Sequence, residues 1–182
     1  MDVAAAGEYA FLSHDHKSKP KVKLLATLLA LAGVRVWYDT RDMKGDAVTS
    51  MTSGIDAAAV VIACITSSYI RKCNKQGNDN CKLELVYAYN RKQASNILVV
   101  VLDKECMDTS KWGGKVGAFL SSHFYYDMST PTNMIMNGKK LVAELRSVTN
   151  KAKADNLDHN VSASSCPPCS LPPIDRRHTV TT

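Results

Sequence analysis

The run Ala58-Ala-Val-Val-Ile-Ala-Cys-Ile65 is apolar throughout, without one charged, amide or hydroxyl side chain. A strand that has one face in water alternates apolar and polar residues, whereas a strand covered on both faces does not alternate. The run Ile97-Leu-Val-Val-Val-Leu102 has the same unbroken apolar character. We therefore predict that both runs are central strands of a parallel sheet and are fully buried.

Outward from these two runs, short apolar stretches alternate with helical patterns along the chain. Such alternation is typical of a parallel sheet with helices on both faces. We predict an α/β fold of the flavodoxin-like, doubly wound type, with five strands in the order 2-1-3-4-5. The polar segments Thr66–Asn80 and Asp103–Ser122 are predicted to lack regular structure. The other predicted strands are Glu8–Ser13, Val34–Tyr38 and His123–Asp127, and the predicted helices are Val22–Ala32, Ala47–Ala57, Asn80–Tyr89 and Asn137–Val148.

The chain has 182 residues, of which 45% are hydrophobic and 22% charged, as in an ordinary globular protein. That length accommodates one domain with an appendage. From Lys151 onward the composition changes to Ser, Pro, Asp and His, with little to bury. We predict a flexible N-terminus over residues 1–7, a domain over residues 8–150, and a disordered tail over Lys151–Thr182.

The net charge of +6 is compatible with an anionic ligand such as a nucleotide. The basic residues are scattered in runs of at most two, which weighs against nucleic acid as a partner. The first residues do not have the pattern of a secretory signal. The longest apolar stretch, Leu24–Val34, is far shorter than the roughly 20 residues of a membrane span. We therefore expect a cytoplasmic protein without a membrane span, with reduced cysteines.

Ligands of doubly wound sheets bind beyond the carboxyl ends of the strands, at the point where the strand order reverses. The loop after the first strand brings Ser13 and His14 to this point, and the loop after the second brings Asp39. The helix that follows the third strand brings Glu84, which lies beside the apolar face of that helix. Glu84 has two interpretations: a solvated carboxylate stabilised by the helix dipole, or a carboxylate that points into the crevice.

Other chemistries of this fold class lack the residues they need. A phosphoacceptor receiver domain requires an Asp at the end of the third strand, where this chain has Thr66-Ser-Ser68. A dinucleotide oxidoreductase requires Gly-x-Gly-x-x-Gly after the first strand, where Ser13-His-Asp-His16 stands. Cys166-Pro-Pro-Cys169 has the spacing of half a zinc site, but no second pair lies near it in the sequence, so we predict no metal.

Five segments, in the right order, resemble the motifs of the Toll/interleukin-1 receptor (TIR) domain family over about residues 8–148. The combination is specific, whereas each segment alone is weak. The first resembles the family's Phe-hydrophobic-Ser-Tyr motif, with His14 in place of Tyr. The second resembles the second strand and the following BB loop, Asp39–Ala47. The segments are Phe11-Leu-Ser-His14, Val36-Trp-Tyr-Asp39 through Met43-Lys-Gly-Asp46, Gly54-Ile55, Cys81-Lys-Leu-Glu84 and Trp112-Gly-Gly114.

The resemblance implies two possible functions. Some TIR domains cleave NAD+ at the nicotinamide–ribose bond, and Glu84 stands at the position of their catalytic glutamate. NAD+ is then the substrate and no separate cofactor is needed. Other TIR domains are adaptors that associate through their own surfaces with themselves or with other TIR domains. Retention of Glu84 favours the enzyme, and Asn80, where enzymatic members often carry Trp, favours the adaptor.

By position, the resemblance also assigns a set of substrate-binding residues. His14 would border the nicotinamide, and Asp39 and Gly45 would belong to the mobile BB loop. The full set is Ser13, His14, Asp39, Gly45 and Asn80.

Overall fold

A computed structural model describes residues 9–38, 47–77 and 79–163 of the protein, with only the backbone described at residue 47 and over 151–163. Its centre is one sheet in which every neighbouring pair of strands is parallel. The order is β2-β1-β3-β4-β5, which confirms the predicted fold class and strand order. The strands are β1 (Tyr9–Ser13), β2 (Arg35–Trp37), β3 (Val60–Ile65), β4 (Ile97–Val101) and β5 (Tyr125–Asp127).

Helices cover both faces of the sheet. Helices α1 and α6 pack together over one face, where they bury strand residues such as Leu12, Ile62 and Val100. The remaining helices lie over the opposite face, against alternate strand residues such as Phe11 and Val99. The helices are α1 (Lys19–Leu31), α2 (Ala47–Ala57), α3 (Ser67–Asn74), α4 (Asn80–Arg91), α5 (Gly114–Leu120) and α6 (Pro131–Ala163), with 3₁₀ turns at His16–Ser18, Ala94–Asn96, Lys104–Cys106 and Thr109–Lys111.

The two apolar runs are the central strands. Every residue of Ala58–Ile65 and of Ile97–Leu102 is buried, and the most exposed of them, Leu98, shows only 6% of its surface. Strand β3 lies between β1 and β4, so it has a neighbour along both edges as well as helices on both faces. The prediction of complete burial from unbroken apolar content is therefore confirmed.

Two helices lie where the sequence predicted irregular structure. Helix α3 occupies Ser67–Asn74, and its first turn is capped by Thr66, whose hydroxyl oxygen accepts a hydrogen bond from the Tyr69 N–H at 3.0 Å. Its apolar side is narrow because mainly Tyr69 and Cys73, four residues apart, are buried. Helix α5 is short and contains two glycines, which weaken a helix prediction. Its buried residues, Val116 and Leu120, are also four positions apart.

Helix α6 is longer than predicted at both ends, so the predicted bounds Asn137–Val148 were wrong. Pro131 occupies the first position, which suits its fixed φ, and the Thr130 hydroxyl oxygen accepts from the Asn133 N–H at 3.1 Å. Beyond Val148 the helix continues to Ala163, so helical backbone occupies the first part of the predicted tail. The sequence there includes good helix formers such as Lys and Ala, which extend a helix already formed. Residues 1–7 and 164–182 lie outside the described residues, and their predicted disorder stays a prediction.

A chain that ends at Asn150 is expected to keep the melting temperature of the full chain within a few degrees. The α6 side chains in the core are Met134, Leu141, Val142 and Leu145, and all of them are retained. Thermal unfolding followed by circular dichroism measures the difference. A chain that ends at Gly138 is the control, because it lacks three of these four side chains and should melt far lower or not fold. A larger drop for the first chain would show that residues 151–182 stabilise the domain.

Candidate functional site

Helix α4 presents Glu84 to the carboxyl end of β1. The Asp79 carboxylate caps the helix by accepting from the Cys81 N–H at 3.0 Å. Cys81, Leu85 and Ala88 are buried at helical spacing, which fixes the side of α4 that faces the core. Glu84 lies at the border of that side, and helix α4 packs near β1. The local sequence thus directs one carboxylate towards the sheet edge instead of the solvent.

The Glu84 carboxylate is held by the last residue of β1. The Ser13 hydroxyl donates to Glu84 Oε2 at 2.7 Å, across 71 positions of sequence. Ser13 is almost completely buried, with 1% of its surface exposed, and Glu84 is half-buried. The Ser13 oxygen also lies 3.0 Å from the hydroxyl of Tyr69, which is fully buried in the first turns of α3. Three polar groups therefore meet beneath the carboxyl end of β1.

Burial dominates the electrostatics of Glu84 and raises the pKa of its carboxyl group from 4.5 to about 7. The Ser13 hydrogen bond and the positive charge of Lys72 lower this pKa, and the negative charge of Asp79 raises it. The removal of water from the carboxylate outweighs the favourable contacts. The half-buried position of Glu84 and its hydrogen bond to the buried Ser13 favour the interpretation in which the carboxylate points inward over the one in which it is solvated.

His14 follows Ser13 in the loop after β1 and is half-buried. Its Nδ1 lies 3.0 Å from the Leu12 carbonyl oxygen, so Nδ1 carries a hydrogen and donates it. The Cys81 thiol donates to the His14 carbonyl oxygen at 3.5 Å, which ties the start of α4 to the same loop. Burial raises the pKa of the Cys81 thiol well above its usual value, so this thiol stays protonated. The loop that contains His14 is thus anchored from both sides.

Of the other predicted site residues, the structure describes only Asn80. Asn80 is exposed in the first turn of α4, one helical turn before Glu84 and on the same side of the helix. Asp39 and Gly45 lie outside the described residues, as does most of the BB loop. The structure therefore brings together Ser13 and Glu84, with His14 next in the chain and Asn80 one turn away.

A separate cleft of about 440 Å³ lies at the carboxyl ends of β1, β3 and β4. Its lining includes Asp15, Thr66, Lys17 and Arg71, but Glu84 is not part of it. The helices that follow β1 and β3 cover opposite faces of the sheet, so this cleft is the point where the strand order reverses. That Glu84 lies near the crevice at the switch point stays a prediction, although Glu84 does meet Ser13 at the carboxyl end of β1.

Asp15 joins the loops on the two sides of this cleft. Its carboxylate accepts from the Thr66 hydroxyl at 2.7 Å and from the Lys17 N–H at 2.9 Å, and the residue is fully buried. Burial by itself would raise the pKa of Asp15, but the hydrogen bonds from Thr66, Ser18 and the Lys17 N–H outweigh it and lower the pKa. An ionised Asp15 therefore fixes the position of the loop that also contains Ser13 and His14.

Tyr69 is the site residue that the sequence analysis missed. Its segment was predicted to be a polar loop, although two signals of a helix were present. Thr66 stands at a capping position, and Tyr69 and Cys73 are four residues apart, as on one side of a helix. Recognising α3 would have placed Tyr69 on its buried side.

The described part of the chain lacks a group of three or more His, Cys, Asp or Glu side chains that could hold a metal ion. Cys166 and Cys169 lie outside it. None of the described helices combines the length and the apolar content that crossing a bilayer requires.

Comparison with family models matches residues 10–142 to the TIR domain. The match begins within β1 and ends within α6, and it includes Ser13, His14, Tyr69, Asn80 and Glu84. A search of the curated proteins found no match.

Proposed function

This chain belongs to the TIR domain family, whose domains act in signal transduction, and from that premise we propose that it is a cytosolic signalling enzyme that hydrolyses NAD+. The bond that breaks joins nicotinamide to ribose. Glu84 is the catalytic carboxylate in this proposal, with Ser13, His14 and Asn80 around it. NAD+ is the substrate, and the chemistry needs no further cofactor.

The reaction makes modest demands on the protein. When the C–N bond breaks, its electron pair leaves with nicotinamide, which needs no protonation because the ring nitrogen is already cationic in NAD+. The ribose carbon becomes oxocarbenium-like, and a nearby carboxylate stabilises that positive charge. Water then adds to the carbon and releases one proton, so the products are nicotinamide, ADP-ribose and H+. One carboxylate with a fixed orientation is sufficient for these steps.

The observation that carries the proposal is the half-buried Glu84 carboxylate, held by the Ser13 hydroxyl at 2.7 Å. A carboxylate that has lost much of its water interacts more strongly with a developing positive charge than a solvated one does. Burial raises the pKa of Glu84 to about 7, so the carboxylate is partly ionised near neutral pH although it has no ion-pair partner among the described residues. A carboxylate that served only the helix dipole would be expected to face water.

The proposal is tested by incubating purified protein with NAD+ and measuring free nicotinamide by chromatography. Nicotinamide release that depends on protein concentration and that disappears in a folded Glu84 variant supports it. Wild-type protein that is folded and assembled, yet leaves NAD+ intact over many hours, contradicts the enzyme function and leaves the adaptor function.

The alternative is an adaptor that acts by associating with itself or with other TIR domains. Asn80 favours it, because this exposed amide lies one turn before Glu84, where the enzymatic members that the chain resembles often carry a Trp that stacks on the substrate. Comparing binding to TIR domains with NAD+ turnover separates the two functions. An adaptor binds without consuming NAD+, and its binding is insensitive to Glu84→Gln.

Assembly is expected to increase the activity, so that the rate per molecule rises steeply with protein concentration or with a crowding agent. The BB loop follows β2, which is the edge neighbour of β1, and we infer that this loop both contacts other TIR domains and gates the crevice at the switch point. The rate is measured across a concentration series, with light scattering on the same samples. A constant rate per molecule, with only monomers in solution, would exclude activation by assembly.

A further inference from the structure

Glu84 is the end of a chain of three hydrogen-bonded side chains that begins at Tyr69. We propose that Tyr69 is a positioning residue of the site, because its buried hydroxyl commits the Ser13 hydrogen to Glu84 and so holds the carboxylate in its working orientation. The kinetic consequence rests on the proposed function of Glu84. The contacts themselves do not depend on that function.

Counting hydrogens fixes the direction of the chain. An ionised carboxylate can only accept hydrogen bonds, so the Ser13 hydroxyl donates its one hydrogen to Glu84 Oε2 at 2.7 Å. The Ser13 oxygen then accepts from the Tyr69 hydroxyl at 3.0 Å. The direction Tyr69 to Ser13 to Glu84 is therefore the one that satisfies all three groups when Glu84 is charged.

Protonation of Glu84 would allow the opposite direction. In that state the carboxyl group can donate to Ser13, and Ser13 can donate to Tyr69. The Tyr69 hydroxyl would then lose the Ser13 oxygen as acceptor for its hydrogen, and the nearby Cys73 sulfur is only a weak acceptor. When Glu84 is charged, the hydroxyl hydrogens of Ser13 and Tyr69 both have an oxygen acceptor. The Tyr69 hydroxyl therefore favours the charged form of Glu84.

Helix α3 gives the Tyr69 hydroxyl little freedom to turn away. The Tyr69 side chain is fully buried, and its own N–H donates to the Thr66 hydroxyl oxygen at 3.0 Å. The Thr66 hydroxyl in turn donates to Asp15 at 2.7 Å. Hydrogen bonds in such a buried network are stronger than in water, and they fix the orientation of the groups that they join.

Ring packing alone does not explain the phenol at this position. A buried hydroxyl group costs stability unless it finds a partner, and Phe would fill the same apolar volume. The partner that the Tyr69 hydroxyl has is Ser13, which is itself tied to Glu84.

Among the described residues, the charged and titratable groups around Glu84 come from α3, α4 and β3. Only one of them, Lys72 on α3, is a cation, and it forms no ion pair with Glu84 in the described residues. Hydrogen bonding therefore carries most of the stabilisation of the charged form, and it passes through Ser13. The other groups are Asp79 and Cys81 of α4, Tyr69 and Cys73 of α3, and Cys64 of β3.

Tyr69→Phe is the direct test, because it removes the hydroxyl and keeps the ring. We expect kcat for nicotinamide release to fall about tenfold, the loss of one buried hydrogen bond, with KM nearly unchanged. The acid limb of the pH–rate profile should move to higher pH, because the charged form of Glu84 has lost support. A residue that served only the packing would lower stability without moving this limb.

A titration of Glu84 itself tests the proposal without any enzyme activity. In protein labelled with ¹³C at the glutamate carboxyl groups, the Glu84 signal of Tyr69→Phe should titrate at higher pH than in wild type. Tyr125→Phe is the matched control, because it removes a half-buried hydroxyl that donates to the Met107 carbonyl oxygen at 2.9 Å, on the far edge of the sheet. It should leave the Glu84 titration unchanged.

Ser13 variants show whether the effect passes through the chain. Ser13→Ala should raise the pKa of Glu84, and Ser13→Thr should return it to the wild-type value. In the Ser13→Ala background, Tyr69→Phe should cause no further change in this pKa. If Tyr69→Phe does not fold, 3-fluorotyrosine can be placed at position 69. It keeps the ring packing and makes the phenol hydroxyl a stronger hydrogen-bond donor, so the pKa of Glu84 should fall.

Two results would overturn the proposal: an unchanged Glu84 titration in a folded Tyr69 variant, or full additivity with Ser13→Ala. Wild-type protein without NAD+ cleavage, but with the expected titration shifts, would remove the enzyme function and leave the hydrogen-bond chain intact. Protein that cleaves NAD+ but shows an unchanged Glu84 titration in the variants would keep the enzyme function and remove the positioning role of Tyr69.

Discussion

Glu84→Gln is expected to lower kcat for nicotinamide release by a factor of at least about 100, as removal of one preorganised electrostatic group does in other enzymes. Gln has the size of Glu and can still accept the Ser13 hydrogen bond, but it cannot carry the negative charge that the oxocarbenium-like ribose carbon requires. KM should change little, since the charge matters most when the bond is breaking. Initial rates over a range of NAD+ concentrations separate the two constants.

The matched control is Glu105→Gln, which removes an exposed carboxylate from the turn after β4 and should leave the rates unchanged. Circular dichroism and thermal unfolding establish that each variant is folded. Near-normal turnover by a folded Glu84→Gln protein, beside an active wild type, would remove Glu84 from the catalytic role.

The sheet could be predicted from the sequence because its signal is local. Ala58–Ile65 and Ile97–Leu102 are apolar without interruption, and a run of that kind is stable only between two layers of helix. Helix α3 gave a weaker signal, since Tyr69 and Cys73 supply most of its buried surface and polar residues surround them. Its helical state is decided by the Thr66 cap and by packing on β3, which a window of sequence represents poorly.

The site could be predicted only in part. Chain order and the ends of β1 and α4 bring Ser13 close to Glu84, and the structure places them in hydrogen-bond contact. The contact between Tyr69 and Ser13 depends on how α3 packs on the sheet. It joins residues 56 positions apart, which no local sequence pattern encodes.

The same substitution, Glu84→Gln, is expected to become more stabilising relative to wild type as pH rises from 4.5 to 8. Burial raises the pKa of Glu84 to about 7 in the folded protein, against 4.5 for an exposed carboxyl group. The folded state therefore holds the proton more tightly than the unfolded state. Wild-type stability from this group is complete below pH 4.5 and is lost as pH rises through 7, whereas Gln does not titrate.

The shift corresponds to a change of up to about 3 kcal/mol in the difference in unfolding free energy between the two proteins. Denaturant unfolding of both proteins at pH 4.5, 6, 7 and 8 measures it, with Glu105→Gln as the exposed control whose difference from wild type should stay flat. Any constant cost of placing an amide against Ser13 cancels, because only the change with pH is compared. A difference that is equally large at pH 4.5 and pH 8 would show that Glu84 is solvated in solution. A rising difference together with lost turnover would mean that the protein sacrifices stability at neutral pH to keep a charged carboxylate at this site.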